Sequence, residues 1–154
     1  MDLRLESFLP YRLNRAAAVA SKHFSTIYRN EFNLTVPEWR VLATLGQLGT
    51  SSAKEIGQHS AMHKTKVSRA VTALQRRHWV AREQDERDRR IEHLSLTTAG
   101  QAAYRRLAPK MLAFENDLMA RLDPADRADL VKGLAALERA LGIPAAEDAE
   151  TEVS

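Results

Sequence analysis

Apolar residues recur at helical spacing over residues 8–29, where Leu9, Leu13, Ala16, Ala17, Ala20, Phe24, Ile27 and Tyr28 fall on one stripe. Pro10 is tolerable in the first turn of such a helix. The stripe is built mostly of small side chains, which suits close packing against a partner subunit as readily as against the chain's own core. Leu34-Thr35-Val36-Pro37 opens a second helix: Thr35 can cap, Pro37 suits an early helical position, and Trp39, Val41, Leu42, Leu45 and Leu48 supply the apolar surface. Gly46 and Gly49 are expected to loosen its end. Thr50-Ser51-Ser52 offers another N-cap, followed by a short polar helix over residues 53–59 anchored by Ile56. After a tight Ser60-Ala61-Met62 connection, a longer helix from about His63 to Arg77 buries Val67, Ala70, Val71 and Leu74. Short helix, brief turn, longer helix is the helix-turn-helix order.

Two short strands are predicted next, Trp79 to Gln84 and Ile91 to Leu96, flanking Asp85-Glu86-Arg87-Asp88-Arg89-Arg90. Thr98 and Gln101 have capping-box spacing and start a helix running to about Leu122. Pro109 inside it predicts a kink or a break, at a cost of roughly 3 kcal/mol in a straight helix. Asp123-Pro124 reads as an N-cap and first-position pair for a last helix that ends at Gly142, with Pro144 preventing continuation.

Charge sharpens this picture. The 154 residues carry a net charge of only +3, yet residues 51–90 hold ten Lys or Arg against five Asp or Glu. Within His63–Arg82 stand Lys64, Lys66, Arg69, Arg76, Arg77 and Arg82 without one acid, whereas a merely soluble helix mixes signs. This is the electrostatic footprint of a phosphate-binding surface. The closing AAEDAETEVS segment is acidic and reads as disordered. Hydrophobic residues at 44% and charged residues at 28% describe an ordinary globular mix. The lack of cysteine removes disulfide scaffolds, zinc ribbons and thiol nucleophiles, and is compatible with the cytosol. No apolar run reaches membrane-spanning length and no signal peptide opens the chain, so a cytoplasmic location is expected.

Major-groove reading needs a helix whose leading residues are short or hydrogen-bonding, with cations reaching phosphates from its sides. His63, Lys64, Thr65 and Lys66 lie at that end; Ser68 and Arg69 follow on adjacent faces, and Lys54 and Arg76 extend the cationic set. The charged hairpin tip can project Arg87, Arg89 or Arg90 into a minor groove, with Asp85 fixing the turn and pairing with Arg87 or Arg89, and Asp88 beside them. On its own, that tip reads better as a solvated loop. His59 and His63 have a metal-like spacing, but the intervening turn breaks a common helix face, so no metal or other cofactor is expected. Nor does any Gly-rich phosphate loop, nucleophile elbow or HExxH motif suggest an enzyme.

The Leu34-Thr35-Val36-Pro37-Glu38-Trp39-Arg40 entry, the Val67-Ser68-Arg69 segment, the Asp85-Glu86-Arg87-Asp88-Arg89-Arg90 tip and the Leu96-Thr97-Thr98-Ala99-Gly100 exit together resemble the MarR family of bacterial winged helix-turn-helix regulators. The resemblance covers residues 8–142 in element order and is specific over 34–100. It implies a mainly α fold with a small β-hairpin wing: a winged helix-turn-helix lobe plus a helical dimerisation lobe. Residues 1–33 and 98–143 would supply dimerisation helices, 34–97 the DNA-binding lobe, and 144–154 the acidic tail. It also implies a homodimer, a pseudo-palindromic double-stranded DNA site, the His63–Arg69 stretch in the major groove, Ser68 and Arg69 near phosphates, Arg87 at the wing tip and Asp85 bracing it. The family usually has Gly then Leu or Tyr where this chain has His78-Trp79, which leaves open how the helix turns into the first strand.

The resemblance further implies a repressor released by a small aromatic or phenolic acid bound near Tyr11, Arg12, Arg15, Val19, His23, Trp39 and Arg40. An Arg can fork onto a carboxylate and an aromatic can stack on a ring. Surface ion pairs for the Arg residues and core packing for Trp39 are the plainer alternatives. A regulator without an effector, or a helical module whose basic face meets an acidic protein, also fits the sequence.

Overall fold

The computed structural model describes residues 2–144; the acidic segment from residue 145 onward lies outside them. The order is α1 (Leu9–Phe32), α2 (Val36–Leu48), α3 (Ala53–Ser60), α4 (Lys64–Arg76), β1 (Val80–Gln84), β2 (Glu92–Leu96), α5 (Thr98–Met119) and α6 (Pro124–Ala140). The described residues fall into two compact units, one ending at Leu112 and the other beginning at Ala113.

The helix starts follow local chemistry. Thr35 accepts the Glu38 backbone N–H while the Glu38 carboxylate accepts the Thr35 N–H, and Ser52 and Glu55 repeat the arrangement at α3. Each box satisfies two amides that a helix start otherwise leaves unpaired. Thr97, not Thr98, caps α5: its hydroxyl accepts from the Gly100 N–H and donates to the His78 carbonyl oxygen. Asp123 occupies the N-cap of α6 without a side-chain cap bond.

Val67, Ala70, Val71 and Leu74 form one buried line on α4, meeting Val41, Leu42 and Leu45 of α2 and Ile56 of α3 in a single core. Each fully buried branched side chain contributes ~1.5–3 kcal/mol, so this line alone fixes which face of α4 looks outward. The hairpin pairs Val80 with Leu96, Arg82 with Leu94 and Gln84 with Glu92. Ser51 adds a bridge to Leu94, its N–H donating to the Leu94 oxygen at 2.9 Å and its oxygen accepting at 2.8 Å. The residue leading into α3 therefore anchors the hairpin to the helix pair, a contact the sequence reading had taken only for capping.

Three further expectations change. Gly46 does not loosen α2; a Cβ there would stand 2.6 Å from the Tyr104 ring, so the glycine makes room for that ring. α5 continues through Pro109, so of the expected kink or break the break does not occur. His78 adopts φ 59, the left-handed conformation that a glycine would take most readily, and the chain enters β1 one residue later than predicted.

Candidate nucleic-acid interface

With its apolar line buried, α4 turns Thr65, Ser68, Arg69, Thr72 and Arg76 outward along the opposite side, because residues three and four apart share a helix face. Lys64 and Lys66 stand on either flank, exposed. Short hydroxyl side chains and a long Arg on the leading line, with Lys on the flanks, is the distribution a groove-entering helix needs. His63 is the N-cap: its Nδ1 accepts the Thr65 N–H at 3.3 Å. Thr72 was missed by the sequence reading, although its spacing from Ser68 and Arg69 places it on the same line. The residue is half-buried, and its hydroxyl donates to the Ser68 carbonyl oxygen at 3.0 Å on the exposed side. Lys54 is exposed in the first turn of α3.

Of the six cations counted in His63–Arg82, two are otherwise engaged. Arg82 pairs with Glu92 across the hairpin at 2.7 Å. Arg77 donates to the Phe32 and Asn33 carbonyl oxygens at 2.7 and 2.6 Å. Lys64, Lys66, Arg69 and Arg76 form no ion pair among the described residues and constitute the outward charge.

The hairpin tip is built around two carboxylates. Asp85 Oδ1 accepts the Arg87 and Asp88 backbone N–H groups at 2.8 and 2.9 Å, and Oδ2 meets the His93 ring at 2.9 Å. The His93 ring and these amides hold the Asp85 carboxyl down to about 2. Asp85 thus shapes the turn as expected, but its side-chain partner is His93, not Arg87 or Arg89. Asp88 takes Arg90 in a two-point grip at 3.0 Å, which lowers the carboxyl's pKa and raises the guanidinium's. Arg90 is therefore spoken for within the tip, while the exposed Arg87 and Arg89 have no ion-pair partner among the described residues.

The candidate ligand residues separate into two groups. Tyr11, Arg12, Arg15, Val19 and His23 are exposed along α1; Arg12, Arg15 and Val19 line a surface groove with Leu9, Leu13 and Ala16, and Arg15 lies 5.8 Å over the Tyr11 ring. Trp39 stacks on Tyr28 at 5.7 Å, 17° from parallel, and borders a second groove with Arg40 and His59. At ~1.5 Å per residue, Tyr28 is roughly 20 Å beyond Arg15 along α1. The groove at Arg12 and Arg15 and the groove at Trp39 and Arg40 are therefore separate within one chain.

A helix pair with an outward cationic line, followed at once by a hairpin whose tip offers free Arg side chains, defines a winged helix-turn-helix protein. Residues 34–91 match the MarR family model. The HTH-type transcriptional regulator YwoH of Bacillus subtilis is 29% identical over 119 residues, 77% of this chain and 85% of that protein. A MarR family transcriptional regulator from Silicibacter pomeroyi DSS-3 superposes with a TM-score of 0.80 and 29% identity over 91% of this chain and 99% of its own. The fold is shared too by BpsR of Bordetella bronchiseptica, whose DNA binding is regulated by 6-hydroxynicotinic acid (TM-score 0.77, 22% identity, 90% of this chain and 98% of that one). Over residues 34–91 the chain therefore carries a MarR-type domain, and it is similar along most of its length to DNA-binding transcriptional regulators of that family. Among the described residues no helix is long and apolar enough to cross a membrane.

Proposed function

We propose that this regulator is a cytoplasmic homodimeric repressor that grips a pseudo-palindromic DNA site and is released by a small aromatic acid. The observation that carries the DNA part is the acid-free outward line of α4, Thr65, Ser68, Arg69, Thr72 and Arg76, flanked by Lys64 and Lys66. Arg87 and Arg89 supply the minor-groove contact from the wing, with Asp85 and Asp88 shaping their turn. Residues 1–33 and 98–143 form the dimerisation part. In support, Leu9, Leu13 and Val19 of α1 and Leu130, Val131 and Leu134 of α6 are large apolar side chains left exposed in the single chain. A two-fold pair of recognition helices would enter successive major grooves ~34 Å apart.

For the ligand, Arg12 and Arg15 beside Tyr11 offer a cationic and aromatic surface suited to a ring-bearing carboxylate. That BpsR responds to 6-hydroxynicotinic acid supports the same chemical class here. Release would follow if the acid favours a lobe spacing that does not fit the duplex, since only differential affinity shifts an equilibrium.

The test is selection of duplexes from random sequence, followed by salt titration of the selected site. A palindrome with half-sites one turn apart and a steep fall of log K with log salt are expected. Competition by any polyanion with no preferred sequence would instead favour an acidic protein partner. Adding 6-hydroxynicotinic or benzoic acid to the complex should release the wild-type protein and not Arg15→Ala. Equal release would remove Arg15 from the site, and no release from either would leave an effector-independent regulator.

A further inference from the structure

The recognition helix ends on an unusual side-chain bridge. Arg77, the residue that terminates α4, sends Nη1 to the Phe32 carbonyl oxygen and Nη2 to that of Asn33, the last helical residue of α1 and the left-handed residue (φ 51) that follows it. Helix C-terminal carbonyls lack intrahelical donors and carry partial negative charge, so a guanidinium fork is a strong partner for them. The same guanidinium lies 5.3 Å over the Trp79 ring, which meets the Phe32 ring edge-on at 6.4 Å. Trp79 in turn leads directly into β1. Its carbonyl oxygen accepts the Thr97 N–H at 3.0 Å at the start of α5, where a Cβ on Gly100 would be 2.1 Å away. From α5, Arg106 stacks on Phe32 at 5.2 Å and Lys110 pairs with Glu31. The ends of α1 and α4, the root of the wing and the first turns of α5 therefore meet at one joint, with Arg77 at its centre.

We propose that Arg77 is a positioning residue: it transmits the setting of α1 to the recognition helix and the wing, and so fixes the half-site separation that the protein accepts. Its charge is spent on protein carbonyls, not on phosphate. The proposal rests on the dimeric DNA-binding reading above. If α1 is held by a second copy, a bridge from its last turn to the end of α4 is what converts subunit geometry into recognition-helix geometry. An Arg on the phosphate-facing surface would have been unpaired, like Lys64, Lys66, Arg69 and Arg76.

The experiment uses the intact protein, its Arg77→Gln and Arg77→Lys variants, and the palindromic duplex selected by the wild type, together with the same duplex carrying one or two extra central base pairs. Each added pair rotates and translates one half-site against the other. The wild type is expected to lose roughly tenfold in affinity per added pair, comparable to a mismatch. Arg77→Gln should bind the parent duplex several-fold more weakly while its penalty for added pairs falls by about threefold or more, because loosened lobes tolerate wrong spacing. Its slope of log K against log salt should equal that of the wild type. Arg77→Lys keeps the charge but loses the fork, so it should behave like Arg77→Gln. It carries the test if the Gln variant fails to fold.

An unchanged spacing penalty in both variants would overturn the joint. So would a salt slope lowered by about 0.9 in Arg77→Gln and restored in Arg77→Lys, the signature of a phosphate contact. A wild-type protein indifferent to spacing would overturn the dimeric reading itself, a result distinct from a spacing-sensitive wild type with equally sensitive variants.

Discussion

Gly100→Ala places the packing logic of the wing root under direct load. Considered as a helix residue alone, Gly100 in the first turn of α5 invites replacement, since Ala is favoured in helices by up to ~1 kcal/mol. The surroundings say the opposite. The new methyl would stand 2.1 Å from the Trp79 carbonyl oxygen and 3.0 Å from its carbonyl carbon. Both are backbone atoms, and the oxygen is already held by the Thr97 N–H. No side-chain rotation relieves the clash, so the chain must shift by about 1 Å, at the upper end of the ~1–3 kcal/mol that overpacking costs. Subtracting the helical gain leaves a net loss of about 2 kcal/mol. For a chain of this size that is a midpoint lowered by ~4–8 °C. Thermal and urea unfolding followed by circular dichroism, at one fixed protein concentration so that the proposed subunit association contributes equally to both proteins, measures it. A variant as stable as the parent would refute the reasoning, because helical preference would then have outweighed the contact.

Arg87→Ala should weaken DNA binding by about tenfold and reduce the preference for A·T pairs beside the core site; unchanged binding would mean that the wing stays out of the groove. Asp85→Asn tests the carboxylate under the hairpin tip. Because the folded protein holds this group at about 2, below an ordinary carboxylate near ~3.9, its stabilisation is complete above that value and is lost as pH falls toward about 2. Parent minus variant stability should therefore shrink over that acid window in thermal melts, and a difference independent of pH would exclude the ionised group as its source. Leu13→Asp would bury a carboxylate from each subunit if α1 lies in the dimer interface, so sedimentation at micromolar concentration should show monomer, whereas an intact dimer would move the interface elsewhere.

What could be read from the chain, and what could not, divides by distance along it. The buried line Val67, Ala70, Val71 and Leu74 is periodic, and the Thr35–Glu38 box spans three residues, so both were visible. The outward line of α4 follows from the buried one, which is why most of its residues were named as candidates, though Thr72, one turn beyond Ser68, was not. Asp85 was correctly placed under the tip, but its partner His93 is reached only through the strand register, which no spacing in the sequence reveals. Arg77 was counted with the surface cations because charge says nothing about direction. Its acceptors are two backbone oxygens at Phe32 and Asn33, far upstream. Thr98 was preferred over Thr97 as a cap because Gln101 completes a motif with it; the His78 carbonyl decided otherwise. Tyr11, Arg15 and Trp39 were placed at one ligand site on the family resemblance, and along the length of α1 the Arg15 groove and the Trp39 groove lie apart in one chain.

α6 contains no buried residue, whereas helices in proteins take most of their stability from packing an apolar face against a neighbour. Whatever shelters Leu130, Val131 and Leu134 therefore decides whether that segment keeps its shape. If a second copy is that shelter, as proposed above, a cell holding few copies owns not an idle regulator but an incomplete one, exposed to proteases at one end. Abundance would govern both how often the operator is occupied and how long each molecule survives to occupy it.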